Sequence, residues 1–225
     1  MNRESRRTFL ERTVTLGASL SALRLGAKAS AQVSGTTTTF GQPAREFVAM
    51  LGLRFPIVQA ALSGAGGPEL ASAVADAGAL GALALTPETP DAAERVVRQV
   101  KAATNGAFFV NYVLRSDPPS LPRVLDAGAP VIQFSWGMPS AEHVRRIRAA
   151  TAKFGIQVTG AGSARTALDL GADYLVCQGM EAGGHVQGIR PLDETIDEVL
   201  REVERVRPGA PVVACGGASR QRQGA

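Results

Sequence analysis

The stretch Asp76-Ala77-Gly78-Ala79-Leu80-Gly81-Ala82-Leu83-Ala84-Leu85 passes from a helix end through a glycine into a short apolar strand. A glycine there takes the left-handed conformation that stops a helix and turns the chain back. The same order recurs as Asp126-Ala127-Gly128-Ala129 ahead of Val131 to Ser135, and as Leu170-Gly171-Ala172-Asp173 ahead of Tyr174 to Gln178. Strands this short, apolar along their whole length and each preceded by a helix, belong to a parallel sheet covered by helices.

On either side the alternation continues. Strands are expected at Pro56 to Ala60, Ala79 to Leu85, Phe108 to Val113, Val131 to Ser135, Ile156 to Thr159, Tyr174 to Gln178 and Val212 to Cys215. Helices are expected at Pro68 to Ala77, Asp91 to Ala103, Ser120 to Ala127, Ser140 to Lys153, Ser163 to Leu170 and Asp193 to Val206. A doubly wound nucleotide-binding sheet shares this alternation but announces its site in the first β/α turn as GxGxxG. Here that turn reads Gly64-Ala65-Gly66-Gly67-Pro68, and the richest glycine motifs come late. The expectation is therefore an α/β chain of the (β/α)8 barrel type, with its site at the C-terminal ends of the strands. The count is incomplete: about seven strands, with the eighth β/α unit missing. Oligomerisation would cover the open edges, although no residue pattern demands it.

A chain of 225 residues with 45% hydrophobic and 20% charged content suits one such domain. Its net charge of +4 raises nucleic acid as a partner, but the first 31 residues carry six of the 24 basic and two of the 20 acidic side chains. That leaves 18 of each sign, and the nucleic-acid reading loses its support. Those 31 residues have the order of an export leader: Ser5-Arg6-Arg7-Thr8-Phe9-Leu10, a modest apolar run from Val14 to Leu25, then Ala29-Ser30-Ala31. The twin arginines, weak apolar run and basic Arg24 and Lys28 point to the twin-arginine route and a periplasmic destination. The apolar run is too short and polar to span a membrane. Residues 32–46, with four threonines from Thr36, read as a flexible linker, 47–217 as the barrel and 218–225 as an irregular tail. Cys177 and Cys215 lie in apolar runs without CxxC or histidine at ligand spacing, so they read as packing residues, with no metal site.

The chemistry concentrates in Gln178-Gly179-Met180-Glu181-Ala182-Gly183-Gly184-His185, directly after the sixth expected strand. Gln178 there can hydrogen-bond the edge of a heterocycle, and Gly183 and Gly184 let the backbone lie against a flat ligand. His185 is the candidate base, because imidazole titrates near working pH. Gly216 and Gly217, after the seventh strand, suit a phosphate cradle or simply close the strand. Trp136 and Met138 either line a pocket or pack.

The octapeptide resembles the signature of the nitronate monooxygenases and of the related flavin-dependent enoyl-acyl-carrier-protein reductases. Phe55-Pro56-Ile57-Val58-Gln59-Ala60, Phe109-Val110-Asn111-Tyr112 and Val212-Val213-Ala214-Cys215-Gly216-Gly217 agree with it. The resemblance implies FMN across the barrel mouth, held by Gln59, Ala60, Asn111, Gln178, Gly183, Gly184, Gly216 and Gly217, with His185 as catalytic base. It implies oxidation of a nitroalkane or nitronate with O2 to a carbonyl compound and nitrite, small-molecule partners only. Gln59-Ala60-Ala61-Leu62 departs from the Pro-Met that relatives often carry after the alanine, and the Gly-Thr phosphate turn of an eighth strand is lacking. Two other readings stand: an enoyl reductase, where the position of Gln178 is more often acidic, and a non-catalytic remnant or ligand-binding barrel. Use of a reduced nicotinamide separates the first of these.

Overall fold

The structure is a computed structural model and describes residues 40–216. The expected leader, the linker up to residue 39, Gly217 and the tail lie outside the described residues. The described elements are α1 (Gln42–Leu51), α2 (Pro68–Asp76), β1 (Gly81–Ala84), α3 (Pro90–Ala103), β2 (Phe108–Val113), α4 (Leu121–Asp126), β3 (Val131–Ser135), α5 (Ala141–Ala149), β4 (Lys153–Val158), α6 (Ala161–Asp169), β5 (Tyr174–Gln178), α7 (Leu192–Val206) and β6 (Val212–Cys215). All six strands pair in parallel, in chain order from β1 to β6. An order without reversal is that of a barrel wall, not of a doubly wound sheet.

The glycine stops behave as the sequence implies. Gly78, Gly128 and Gly171 have φ of 90, 86 and 80°, and the next residue of each donates its N–H back five residues: Ala79 to Val74, Ala129 to Val124, Ala172 to Ala167. Helix α5 uses the same closure without glycine. Thr151 takes φ 55° and Ala152 N donates to Ile147 O at 3.1 Å. The helix expected to run to Lys153 therefore ends at Ala149, and β4 begins at Lys153.

Alternation along the strands sorts two layers. Phe108, Val110, Ile132, Phe134, Phe154, Ile156, Leu175 and Cys177 face α2 to α7 in one continuous core. The opposite, concave face gathers Ala82, Phe109, Val131, Tyr174 and Val176 around Phe47 of α1. Phe47 meets the Tyr174 ring edge-on, with centroids 5.3 Å apart. Burying such a side chain is worth about 1.5–3 kcal/mol, so α1 belongs to the fold. It starts at Gln42, inside the expected linker of 32–46, because Pro43 opens the helix and Phe47 has a core to enter.

A second difference concerns Pro56 to Ala60, which does not form a strand. Val58 makes one isolated bridge with Leu80, with Leu80 N donating to Ile57 O and Gln59 N to Leu80 O. The next rung would take the Ala82 N–H to the Gln59 carbonyl. Instead it goes to the Gln59 side-chain Oε1 at 3.1 Å, and the ladder stops. Six strands, not seven, are present among the described residues.

Candidate functional site

Below the mouth, the concave face changes from apolar to amide. Asn111 of β2, Gln133 of β3, Gln157 of β4 and Gln178 of β5 alternate with outward-facing core residues, and all are buried. Buried amides persist only when hydrogen-bonded, and these form two chains. In the first, Tyr174 donates to Gln133 Oε1 (3.1 Å), Gln133 Nε2 to Asn111 Oδ1 (3.3 Å) and Asn111 Nδ2 to Ser135 Oγ (3.3 Å). Burial raises the Tyr174 phenol well above its ordinary range, so it stays a neutral donor.

The second chain builds the loop that follows β5. Gln178 Oε1 accepts from Gln187 N (2.7 Å), Gly188 N (3.3 Å) and Gln157 Nε2 (3.2 Å), and Gln178 Nε2 donates to His185 O (3.3 Å). Gln178 is expected to face a heterocycle, but its oxygen is fully engaged in holding its own loop. Arg190 closes the far end with a two-point pair to Glu198 at 2.5 and 2.6 Å. That guanidinium holds the Glu198 carboxyl below the usual carboxylate range.

The loop presents Gly183, Gly184 and His185 to solvent. A Cβ added at Gly183 or Gly184 would meet nothing within 4 Å, so both face open space. Gly216, at φ 86°, lies against the same loop: a Cβ there would stand 2.5 Å from Ala182 N. Gln178, Gly183, Gly184, His185 and Gly216 are thus brought together. Gln59 stands apart, on the segment beside β1. Its Oε1 is tied to Ala82, while its Nε2 is buried beside Gly66 with no hydrogen-bond partner among the described residues. Ala60 is exposed next to it, and Asn111 lies within the first amide chain.

His185 meets the ring of Trp136 edge-on, with centroids 6.5 Å apart, and the Arg115 guanidinium carbon lies 5.3 Å from that ring's centroid. Trp136 has φ 61°, a conformation costing a bulky residue roughly 1–3 kcal/mol that neighbours must supply. Met138, by contrast, packs against the helix-side core. Gln133, Gln157, Gln187 and Arg115 are absent from the sequence-derived site. The available signal was a lone amide at the inward register of an otherwise apolar strand, which Gln133 and Gln157 share with Asn111.

Cys177 is buried and its thiol is pushed up to about 12 by that burial, as expected of a packing residue. Two clefts of about 390 Å³ each open elsewhere, one around Arg54, Asp76, Lys101 and Thr104, the other around Thr86, Pro90, Asp117 and Pro118. Neither is lined by the 178–188 loop. No group of three metal-ligating side chains occurs among the described residues. No helix among them is long and apolar enough to cross a membrane.

Residues 45–120 and 119–225 match the family described as nitronate monooxygenase. The chain is 28% identical over 214 residues to the nitronate monooxygenase of Pseudomonas aeruginosa, covering 76% of this chain and 61% of that protein. Among solved structures, a FabK variant from Thermotoga maritima superposes with a TM-score of 0.70 at 29% identity, covering 77% of this chain and 56% of the other. The nitroalkane oxidase of Streptomyces ansochromogenes superposes at 0.61 with 28% identity, covering 74% and 60%. The chain spans about three fifths of the length of the nitronate monooxygenases it matches.

Proposed function

The chain belongs to the nitronate monooxygenase family, and on that premise we propose that it is an FMN-dependent oxidoreductase converting a nitroalkane or its nitronate, with O2, to a carbonyl compound and nitrite. The observation that carries this reading is His185, presented at the mouth on the loop that Gln178 holds, beside the open backbone of Gly183 and Gly184. The residues fit a flat heterocycle. Gln59 Nε2 is a buried donor with no acceptor among the described residues, Asn111 is a second amide held in one orientation, and Gly216 abuts the glycine ridge.

Bound FMN would supply the two-electron redox step that no side chain can perform. The protein's own part is proton transfer. An imidazole nitrogen of His185 takes the proton from the carbon bearing the nitro group, and the C–H electron pair moves into the C=N bond of the nitronate. Arg115, held over Trp136 at the same rim, adds positive charge where an anion is formed. We further propose that Ser5 to Leu10 directs export by the twin-arginine route.

The purified protein should show the two-banded visible spectrum of a bound flavin and consume O2 when given a nitroalkane or nitronate. A colourless protein that stays colourless on adding FMN would overturn the reading. Turnover of an enoyl thioester with a reduced nicotinamide, and none of a nitronate, would replace it with the reductase.

A further inference from the structure

His185 is oriented by unusual means. Among the described residues neither of its ring nitrogens has a hydrogen-bond partner, whereas His143 is held at both: Nδ1 accepts from Ser140 N and Nε2 pairs with Asp117 Oδ1 at 2.9 Å. What holds His185 is its carbonyl, bonded by Gln178 Nε2, and the edge contact of its ring with Trp136. Both lead to Gln187. The Gln187 backbone N–H donates to the same Gln178 amide at 2.7 Å. Its side-chain Oε1 accepts from the Trp136 backbone N–H at 3.2 Å and from Gln157 Nε2 at 3.1 Å. A left-handed tryptophan needs an outside partner to hold it, and Gln187 is the side chain that reaches its N–H.

We propose that Gln187 is a positioning residue for His185: it locks Trp136 in its left-handed conformation and ties the loop to the amides of β4 and β5, which sets the imidazole toward the substrate carbon. The role of the imidazole as base rests on the function proposed above; its orientation by Gln187 does not. Gln187 uses only its oxygen in these side-chain contacts, so Gln187→Glu keeps the acceptor and Gln187→Met removes it at similar length.

The protein has two histidines and one tryptophan, which makes the test direct. In proton NMR of the full chain, the His185 Cε1–H resonance, assigned by its loss in His185→Asn, carries the ring-current displacement of Trp136. His143, clamped by Ser140 and Asp117, reports that the fold is kept. In Gln187→Met the His185 resonance should move to the position of an unconstrained histidine while that of His143 stays, and in Gln187→Glu the displacement should persist. A His185 resonance unmoved in Gln187→Met overturns the proposal. If Gln187→Met does not fold, Gln187→Glu decides alone, displacement retained supporting the proposal and displacement lost overturning it. Turnover gives the second arm: Gln187→Met should lose roughly ten- to hundredfold in kcat on a neutral nitroalkane and less than about twofold on the preformed nitronate, which needs no base. Equal losses on both substrates overturn positioning for proton abstraction. Absence of turnover in the unsubstituted protein, with the NMR result as expected, overturns the proposed function and leaves the positioning intact.

Discussion

The hydroxyl of Tyr174 on β5 reaches Gln133 on β3 at 3.1 Å, across β4, because Gly155 on the strand between them has no side chain. A Cβ at Gly155 would lie 2.2 Å from the phenol carbon. The first amide chain starts from this contact and runs through Gln133 to Asn111.

Tyr174→Phe should leave Gln133 Oε1 buried without its donor, a loss of about 1–3 kcal/mol. Gly155→Ala should cost about as much by displacing the ring. Urea denaturation checks both. Because the two changes act on one contact, the double variant should lose clearly less than the sum of the single losses.

The Arg190–Glu198 pair predicts a pH effect confined to the loop end. The folded-state pKa of Glu198 is depressed, so its contribution is present above the ordinary carboxylate range and is lost as pH falls through the lowered value; Arg190 stays charged throughout. Amide exchange of residues 188–190, measured from neutral pH into the acid and corrected for intrinsic rates, should show protection falling there. In Glu198→Gln, protection at neutral pH should already be the lower and should change little on acidification.

Export is tested at Arg6 and Arg7. Their joint replacement by lysine should leave the protein on the cytoplasmic side, measured by fractionation, while single replacements should act more weakly. Normal export of the double variant would remove the twin-arginine reading.

The order of elements was legible because each helix stop is written as a glycine followed by an apolar strand, as at Gly78, Gly128 and Gly171. Helix α5 is shorter than its sequence suggests because Thr151 performs the same stop without the residue that signals it. The composition of the segment from Pro56 suits a strand, yet a side-chain oxygen of Gln59 replaces the backbone acceptor. The octapeptide announced the loop and His185. Its support by Gln157 and Gln187 was hidden, since hydrogen bonds spanning 21 and 9 residues leave no local pattern.

Gln59 tests the proposed cofactor contact. Gln59→Glu keeps the Oε1 that accepts from Ala82 N and exchanges Nε2, which has no partner among the described residues, for an oxygen. If that donor meets FMN, affinity for the flavin should fall on the order of tenfold or more, the worth of one buried hydrogen bond, and the unpaired buried carboxylate should also lower the melting temperature of the flavin-free protein. Flavin titration followed by fluorescence quenching measures the first and a melting curve the second. Unchanged FMN affinity would take Gln59 out of the cofactor site.

His185 is the residue on which the reaction assignment turns. Its ring is exposed and its carbonyl is fixed by Gln178, so His185→Asn changes the ring without touching the backbone bond that holds the loop. The flavin spectrum should therefore survive the substitution. Turnover of a neutral nitroalkane should fall about 10²–10⁴-fold, the usual worth of a positioned base. The preformed nitronate has already lost that proton and should be oxidised at a rate much nearer that of the unsubstituted protein. Steady-state O2 consumption on the two substrates gives the comparison. Loss on both would make the ring a binding group for the anion, and loss on neither would remove His185 from the mechanism.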